Sequence, residues 1–161
     1  DRCIVHRDGL REGLEADGQQ PQLRSHAEHV CIGGDRVAKE AARDKGAKEA
    51  WLVDRSGQIT EGASSNAWIV TAEGQLVTRA LDGQILPGVT RSIVVELAGR
   101  LGLRLEERSF SVAEAHGAAE AFLTSASNLV MPVTRIEDRH LQPRPIFSRA
   151  RELYMEFAHG G

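Results

Sequence analysis

Two consecutive hairpin patterns between residues 49 and 80 constrain the fold of this chain more than any other feature of its sequence. The first reads "EAWLVD", "RSG" and "QITEG", with a turn at Ser56-Gly57, and the second reads "NAWIVTAEGQLVTRA", with a turn at Glu73-Gly74. A polar residue and a glycine between two apolar runs are typical of a tight turn between antiparallel strands. Separate helical segments surround these hairpins, and the mixture predicts an α+β fold around a mostly antiparallel or mixed sheet.

Four segments carry helical signals. An Ala-rich stretch at 36–47 ends at a glycine stop, and "ILPGVTRSIVVELAGRLG" opens a helix with Pro87 suited to its first turn. "SVAEAHGA" is predicted as a short helix with Ser111 as its N-cap, and "PIFSRARELYMEFA" as the last helix. The predicted apolar faces are Val89, Ile93, Leu97 and Leu101 on the second helix and Ile146, Ala150, Leu153 and Phe157 on the last.

The composition indicates a soluble, globular protein of one ordinary domain. The chain has 161 residues, of which 41% are apolar and 27% charged, and its net charge of −3 gives no basis for nucleic-acid binding. No apolar run approaches the ~20 residues that span a bilayer, and no secretory pattern is visible, so we expect no membrane association. Cys3 and Cys31 do not make a disulfide framework, which favours a reducing cytoplasm.

The first 36 residues differ from the rest of the chain. They show no sustained period of 2 or 3.6, and only "CIV" and "HVCI" are strand candidates. We therefore divide the sequence into an atypical, loop-like segment at 1–36 and a domain at 37–161. The first residue, Asp1 rather than Met, suggests a processed or truncated chain.

Three segments end a strand or open a helix with small and polar residues. They are "TEGASSN" at 60–66, "LPGVTR" at 86–91 and "LTSASN" at 123–128. A helix start favours anions because its N–H groups are unpaired and its dipole is positive there. The segments at 86–91 and 123–128 both favour an anion, which suggests a phosphate. The nearby carboxylate of Glu61 suggests a cationic ring nitrogen. Alternatively, the hydroxyls cap helices and Glu61 is an ordinary acid at a solvated turn.

These segments, in this order and spacing, resemble the large C-terminal domain of the class IV aminotransferases, which are fold-type IV enzymes that use pyridoxal phosphate (PLP). The resemblance runs from about Val37 to Phe157 and is carried by "AKEAARDKGAKEAWLVDRSGQITEGASSNAWIV", "ILPGVTR" and "FLTSASNLVMPV". It implies a mixed, largely antiparallel sheet or pseudo-barrel with flanking helices. It also implies a homodimer that transfers an amino group between an amino acid and a 2-oxo acid. The third block is more similar to D-amino acid transaminases than to branched-chain enzymes.

The resemblance also assigns the contacts to PLP. Glu61 is expected to face the pyridine nitrogen and keep it protonated, so that the ring accepts electrons from the substrate Cα. The remaining expected contacts are Gly88, Val89 and Thr90 to the phosphate, Ser125, Ala126 and Ser127 beside the phosphate and the substrate carboxylate, and Ser64, Ser65 and Asn66 bracing the loop behind the ring.

The lysine that the resemblance implies is missing. In the family a lysine holds PLP as a Schiff base and moves the substrate proton, from a strand shortly before the helix that contains "AK". Counting back from Lys39 without a gap places Glu28 at that position, and a short insertion places Arg24 there. Neither side chain forms an imine. The family's N-terminal domain is not expected here either, so we expect this chain alone to be inactive.

Three interpretations of this departure stay open. The chain is a fragment or a misread sequence, a catalytically dead relative that still binds PLP or phosphate, or a ligand-free structural half that needs a partner chain. We expect no metal site, because His26, His29 and Cys31 do not make a recognised zinc set. No nucleophile elbow or phosphate-binding Walker loop points to a hydrolase or a nucleotidase.

Overall fold

The computed structural model describes residues 28–33, 38–44, 46–142 and 145–160. These ranges contain ten strands and four helices. The strands are β1 (Glu28–Gly33), β2 (Glu49–Val53), β3 (Gln58–Gly62), β4 (Asn66–Val70), β5 (Leu76–Thr78), β6 (Leu105–Glu107), β7 (Phe110–Ser111), β8 (Glu120–Ser125), β9 (Leu129–Ile136) and β10 (Arg139–His140). The helices are α1 (Ala38–Asp44), α2 (Val89–Arg100), α3 (Val112–Gly117) and α4 (Pro145–His159).

The strands form one sheet in the order β6-β5-β4-β8-β9-β1-β2-β3-β7, with β10 paired to β9. Strand β1 runs parallel to both of its neighbours and β5 runs parallel to β6, whereas the other pairs are antiparallel. β3 and β4 lie far apart in this order, yet only residues 63–65 join them, so the sheet curls back on itself. This arrangement confirms the predicted α+β class with a mixed, largely antiparallel sheet.

Both predicted hairpins are present, since β2 pairs with β3 and β4 pairs with β5. Gly57 and Gly74 each adopt a φ of +81°, which explains why glycine follows the polar residue in both turns. The N-cap prediction for α3 is also confirmed. The Ser111 hydroxyl accepts a hydrogen bond from the Glu114 N–H, and the Glu114 carboxylate accepts one from the Ser111 N–H.

Two large apolar clusters lie on the two faces of the sheet, and a small third one contains Ala42, Ala47 and Ala50. One large cluster contains Trp51, Ile59 and Phe110, and the other lies under α2 and α4. In the second cluster the ring of Phe122 stacks on that of Trp68 at 5.4 Å and packs against that of Phe147 at 5.9 Å. The second cluster fixes α2, whose N-terminus borders the site described below.

The predicted start and apolar face of α2 are wrong in two respects. Pro87 lies outside the helix, because α2 begins at Val89 with Gly88 as its N-cap. Val89 is 76% exposed, and the face that packs on the sheet is formed by Thr90, Arg91, Val94, Leu97 and Ala98. A residue every four positions overshoots each helical turn by about 40°, so such a row winds away from the buried face.

The predicted face of α4 is likewise only partly buried. Ala150 is buried, but Phe157 is 47% exposed, and Phe147 and Tyr154 complete the buried set. In the first 36 residues, the candidate "HVCI" lies in β1, which pairs with β2 on one side and β9 on the other. The division at residue 36 stays a prediction, since residues 1–27 and 34–37 lie outside the described part of the chain. No helix within the described ranges has the length and apolarity of a membrane span.

Candidate functional site

Two adjoining cavities lie where the three polar segments meet. The smaller, about 180 Å³, is called here the Glu61 cavity, and the larger, about 370 Å³, the Lys48 cavity. They share Ser64 and Ser125 as wall residues. The Glu61 cavity is lined by Leu52, Glu61, Gly62, Ala63, Ser64, Ser65, Asn66, Leu86, Gly88, Thr124, Ser125 and Ala126, and the Lys48 cavity by Arg43, Ala47, Lys48, Glu49, Ser64, Leu123, Ser125, Ser127 and Asn128.

Glu61 stands near the end of β3 and is held by one backbone contact. Its Oε2 accepts a hydrogen bond from the Leu86 N–H at 2.9 Å, and no donor from the described part of the chain bonds to its Oε1. The Leu86 carbonyl in turn accepts a hydrogen bond from Asn66 Nδ2 at 3.0 Å. The segment before α2 is thus tied to both β3 and β4, and Glu61 keeps an oxygen that can accept a further proton donor.

The N-terminus of α2 opens beside the same cavity. Its N-cap, Gly88, has no side chain to cap the first N–H groups, and the first turn contains no acidic residue. A Cβ on Gly88 would collide with Asn66 Oδ1, so this close approach depends on glycine. Val89 is exposed, whereas Thr90 is buried and its hydroxyl donates to the Ser125 carbonyl at 3.1 Å. The helix therefore presents unsatisfied N–H donors at the cavity, which favour an anion.

The turn between β8 and β9 forms another wall. Ser125 pairs with Leu129, and its Oγ accepts the Asn128 N–H at 3.0 Å. Leu129 has a φ of 58°, a left-handed conformation that is unusual for a side chain of this kind. Ala126 lines the Glu61 cavity and Ser127 lines the Lys48 cavity. The tight turn brings small and polar residues to the mouths of both cavities.

Glu49 is the site residue that the sequence reasoning missed. It is 5% exposed, and its Oε1 accepts the Ala50 N–H at 2.9 Å. Its Oε2 accepts the Ser64 N–H at 3.3 Å, the Ser64 hydroxyl at 2.9 Å and the Ser65 hydroxyl at 3.0 Å. The sequence did contain a signal for the burial of Glu49. It lies two residues before Trp51, which is buried, and alternate residues of a strand share one face.

A pair of buried arginines holds the segment that runs from β5 to α2. Arg79 forms ion pairs with Asp54 at 3.0 Å and Asp82 at 2.9 Å. Arg91 donates to the Arg79 carbonyl at 2.8 Å and to Glu107 at 2.7 Å. Hydrogen bonds from Ser56, from the Gln58 N–H and from Arg79 lower the pKa of Asp54 to about 2, against the opposing effect of its burial. The loop that carries Leu86 is therefore anchored at both ends.

The structure brings most of the predicted residues to one place. Seven of them line the Glu61 cavity: Glu61, Ser64, Ser65, Asn66, Gly88, Ser125 and Ala126. Ser127 lines the neighbouring cavity, and Val89 and Thr90 open α2 directly after Gly88. Arg24 lies outside the described residues, and Glu28 is the first residue of β1. The His26, His29 and Cys31 set lies at least partly outside them, and the described residues contain no cluster that could hold a metal ion.

Comparison with known proteins points to one family. The sequence profile described as "Amino-transferase class IV" matches residues 15–136. The chain is 38% identical over 109 residues to a probable branched-chain-amino-acid aminotransferase of Thermotoga maritima, a match that covers 66% of this chain and 40% of that protein. It is 32% identical over 115 residues to a D-alanine aminotransferase of Listeria monocytogenes, covering 71% of this chain and 39% of that protein.

Comparison with solved structures also finds aminotransferases. A branched-chain aminotransferase from Thermoproteus uzoniensis with norvaline superposes with a TM-score of 0.77 and 28% identity, covering 86% of this chain and 53% of that one. An aminotransferase from Brucella abortus bound to PLP superposes with a TM-score of 0.70 and 32% identity, covering 74% of this chain and 42% of that one. The chain thus spans about 40% of the length of the curated relatives described above.

Proposed function

Because the chain belongs to the class IV aminotransferase family, we propose that it forms the PLP-binding domain of an aminotransferase. In the complete enzyme the reaction moves an amino group between an amino acid and a 2-oxo acid. One observation carries this proposal: the carboxylate of Glu61 and the uncapped N-terminus of α2 border the same cavity. A carboxylate and an anion site at one cavity match the two charged ends of PLP, its ring nitrogen and its phosphate.

The residues present fit this cofactor. Gly88 allows the backbone to approach where a Cβ would collide with Asn66 Oδ1, and the first turn of α2 has no carboxylate that would repel a phosphate. Since the Thr90 hydroxyl already donates to the Ser125 carbonyl, we assign phosphate binding to the N–H groups of Val89 and Thr90. Bound PLP supplies a pyridinium ring that withdraws electrons from the substrate Cα.

Each protein group then has a definite task. Glu61 Oε1, which the Leu86 N–H does not occupy, would accept a hydrogen bond from the protonated ring nitrogen, and the negative charge of Glu61 would favour that protonated form. The hydroxyls of Ser64 and Ser65 donate hydrogen bonds to Glu49. The side chain of Asn66 donates to the Leu86 carbonyl and so fixes that loop. Ser125, Ala126 and Ser127 border the space left for the substrate carboxylate.

The proposal does not narrow the substrate to one kind of amino acid. Similar proteins carry the names of both branched-chain and D-alanine aminotransferases, so the proposal covers amino acids of either kind with a 2-oxo acid as the acceptor. By the same resemblance we propose a homodimer that works in the cytoplasm. The net charge of −3 gives no reason to add a nucleic acid to the partners.

PLP binding tests the proposal directly. Quenching of the fluorescence of Trp51 and Trp68 by added PLP should saturate, and inorganic phosphate should compete. Gly88→Ala should weaken binding about tenfold, the equivalent of ~1.4 kcal/mol, because the new Cβ displaces Asn66 and with it the loop at Leu86. Gly99→Ala is the matched control, since no atom lies within 4 Å of its added Cβ. Binding that does not saturate, or that Gly99→Ala weakens equally, contradicts the proposal.

A second candidate is a relative that binds PLP without catalysis. It is favoured by the sequence itself, in which no lysine precedes Lys39. The half-reaction with an amino acid separates the two candidates. Conversion of bound PLP to the amine form, with release of a 2-oxo acid, supports the enzyme, and saturable binding without conversion supports the binding module.

A further inference from the structure

The chain contains three lysines, Lys39, Lys45 and Lys48, and the family reaction needs one amine beside the cofactor. Lys39 lies in the first turn of α1, and Lys45 lies outside the described residues. Lys48 alone among them has a described side chain that lines a cavity, and this cavity shares Ser64 and Ser125 with the Glu61 cavity. We propose that Lys48 is the amine of this chain that reacts with the aldehyde of PLP. The inference rests on the proposed function, since it needs PLP at the Glu61 cavity.

Lys48 lies next to the strand that pairs with β1, where the family lysine is expected. β1 runs parallel to β2 with Val30 opposite Glu49, and Lys48 directly precedes β2. The ungapped count from Lys39 places the missing lysine at Glu28, the first residue of β1. Adjacent strands lie about 4.8 Å apart, and a lysine side chain with its flexible four-carbon stem spans that separation. Because Lys48 lies in a bend before β2, the alternation of the strand does not fix its direction, and it lines the cavity whose wall residues Ser64 and Ser125 also line the Glu61 cavity.

The surroundings of Lys48 leave its amine available. Its side chain is exposed, and it forms no ion pair or hydrogen bond with any described residue. The neighbouring carboxylate, Glu49, does not hold it, because both Glu49 oxygens already accept hydrogen bonds from Ala50, Ser64 and Ser65. No carboxylate lining the Lys48 cavity other than Glu49 competes for the amine.

The covalent step is a simple condensation. The neutral amine of Lys48 adds to the aldehyde carbon of PLP, a C=N bond forms, and the carbonyl oxygen leaves as water. Added borohydride delivers a hydride to the carbon of that bond and leaves a stable secondary amine. Arg24 and Glu28 cannot take part, because a guanidinium stays protonated and a carboxylate forms no imine.

Mapping of the reduced adduct tests the proposal. The chain is incubated with PLP near the concentration that half-saturates binding, reduced with borohydride, digested and analysed by mass spectrometry. We expect the pyridoxyl-phosphate mass on the peptide that contains Lys48, and at least a tenfold loss of label in Lys48→Arg. Lys39→Arg and Lys45→Arg are the matched controls and should keep the label. A label on Lys39 or Lys45, or equal labelling of all three lysines, overturns the proposal.

Pyridoxamine 5'-phosphate separates this inference from the proposed function, because it carries the same ring and phosphate but no aldehyde. If it binds saturably and competes with PLP while Lys48 stays unlabelled, the inference about Lys48 is wrong and the cofactor site stands. If neither compound binds saturably, both fail. Saturable binding of both with the label on Lys48 supports both.

Discussion

Replacement of Glu49 by glutamine should destabilise the domain markedly, although the side chain keeps its size. The buried carboxylate accepts four hydrogen bonds, three of them on Oε2. An amide offers one acceptor oxygen. If this oxygen faces Ser64 and Ser65, the amide nitrogen points at the Ala50 N–H, which is itself a donor. One buried N–H is therefore left without a partner, and the other three bonds lose their charged acceptor.

The magnitude follows from these contacts. A hydrogen bond to a charged group contributes about 1.5–3 kcal/mol and a neutral one about 0.5–1.5 kcal/mol, so three bonds lose about 3 kcal/mol together. The unpaired Ala50 N–H costs a further 1–3 kcal/mol or so. Removal of a buried charge offsets part of this loss, because the carboxylate no longer has to be desolvated. We expect a net loss of about 2–3 kcal/mol in the free energy of unfolding.

Urea unfolding measures this loss. Trp51 and Trp68 are fully buried, so their fluorescence reports the global transition. With a slope of about 1–3 kcal/mol per molar urea, the midpoint of Glu49→Gln should fall by about 1–2 M. Glu73→Gln removes the same charge from an exposed turn and should stay within about 0.5 kcal/mol of the original chain. Equal midpoints for the two variants would refute the role assigned to Glu49.

Three further predictions concern other parts of the fold. Gly99 lies within α2, and no atom lies within 4 Å of a Cβ added there. Because alanine has a higher helix propensity than glycine, Gly99→Ala should raise the free energy of unfolding by about 0.5–1 kcal/mol in a urea titration. A decrease would contradict the open space around this position. Ser111→Ala removes the cap of α3 and should lower the unfolding temperature by the equivalent of about 1 kcal/mol; an unchanged temperature contradicts the capping box. The pKa of Asp54 is lowered from 3.8 to about 2, so its ionised form stabilises the fold above pH 3.8, and this contribution is lost as the pH falls toward 2. Asp54→Asn should therefore cost about 1–2 kcal/mol near pH 6, allowing for solvent screening, and the deficit should shrink below pH 3; a deficit independent of pH would be incompatible with this origin.

The sequence predicted the parts of the fold that local chemistry decides. The two hairpins follow from turns that require glycine at positive φ, and the cap of α3 follows from Ser111 three residues before Glu114. The start of α2 escaped prediction because Pro87 is as acceptable just before a helix as in its first turn. The buried face of α2 escaped because burial there is set by packing on the sheet, which also buries Thr90 and Arg91.

The candidate site was predicted in its local motifs and not in its long-range contacts. Glu61, Gly88 and Ser125 were chosen from three short segments, and the structure places them around one cavity. The support of that cavity depends on pairs distant in sequence, such as Glu49 with Ser65. No periodic pattern in the sequence indicates which distant residues will form such pairs. That Lys48 lines a cavity beside the Glu61 cavity is equally a property of the folded chain.

The protonation state of the ring nitrogen tests the central claim most directly, because the account assigns Glu61 to that atom. Pyridoxamine 5'-phosphate labelled with ¹⁵N in the ring is bound to the chain, and its nitrogen chemical shift is followed as the pH rises. The account predicts a nitrogen that stays protonated at a pH where the free compound has lost its proton, and a return to the behaviour of the free compound in Glu61→Gln. A bound nitrogen that titrates as it does in free solution, or that is unaffected by Glu61→Gln, would contradict the assignment.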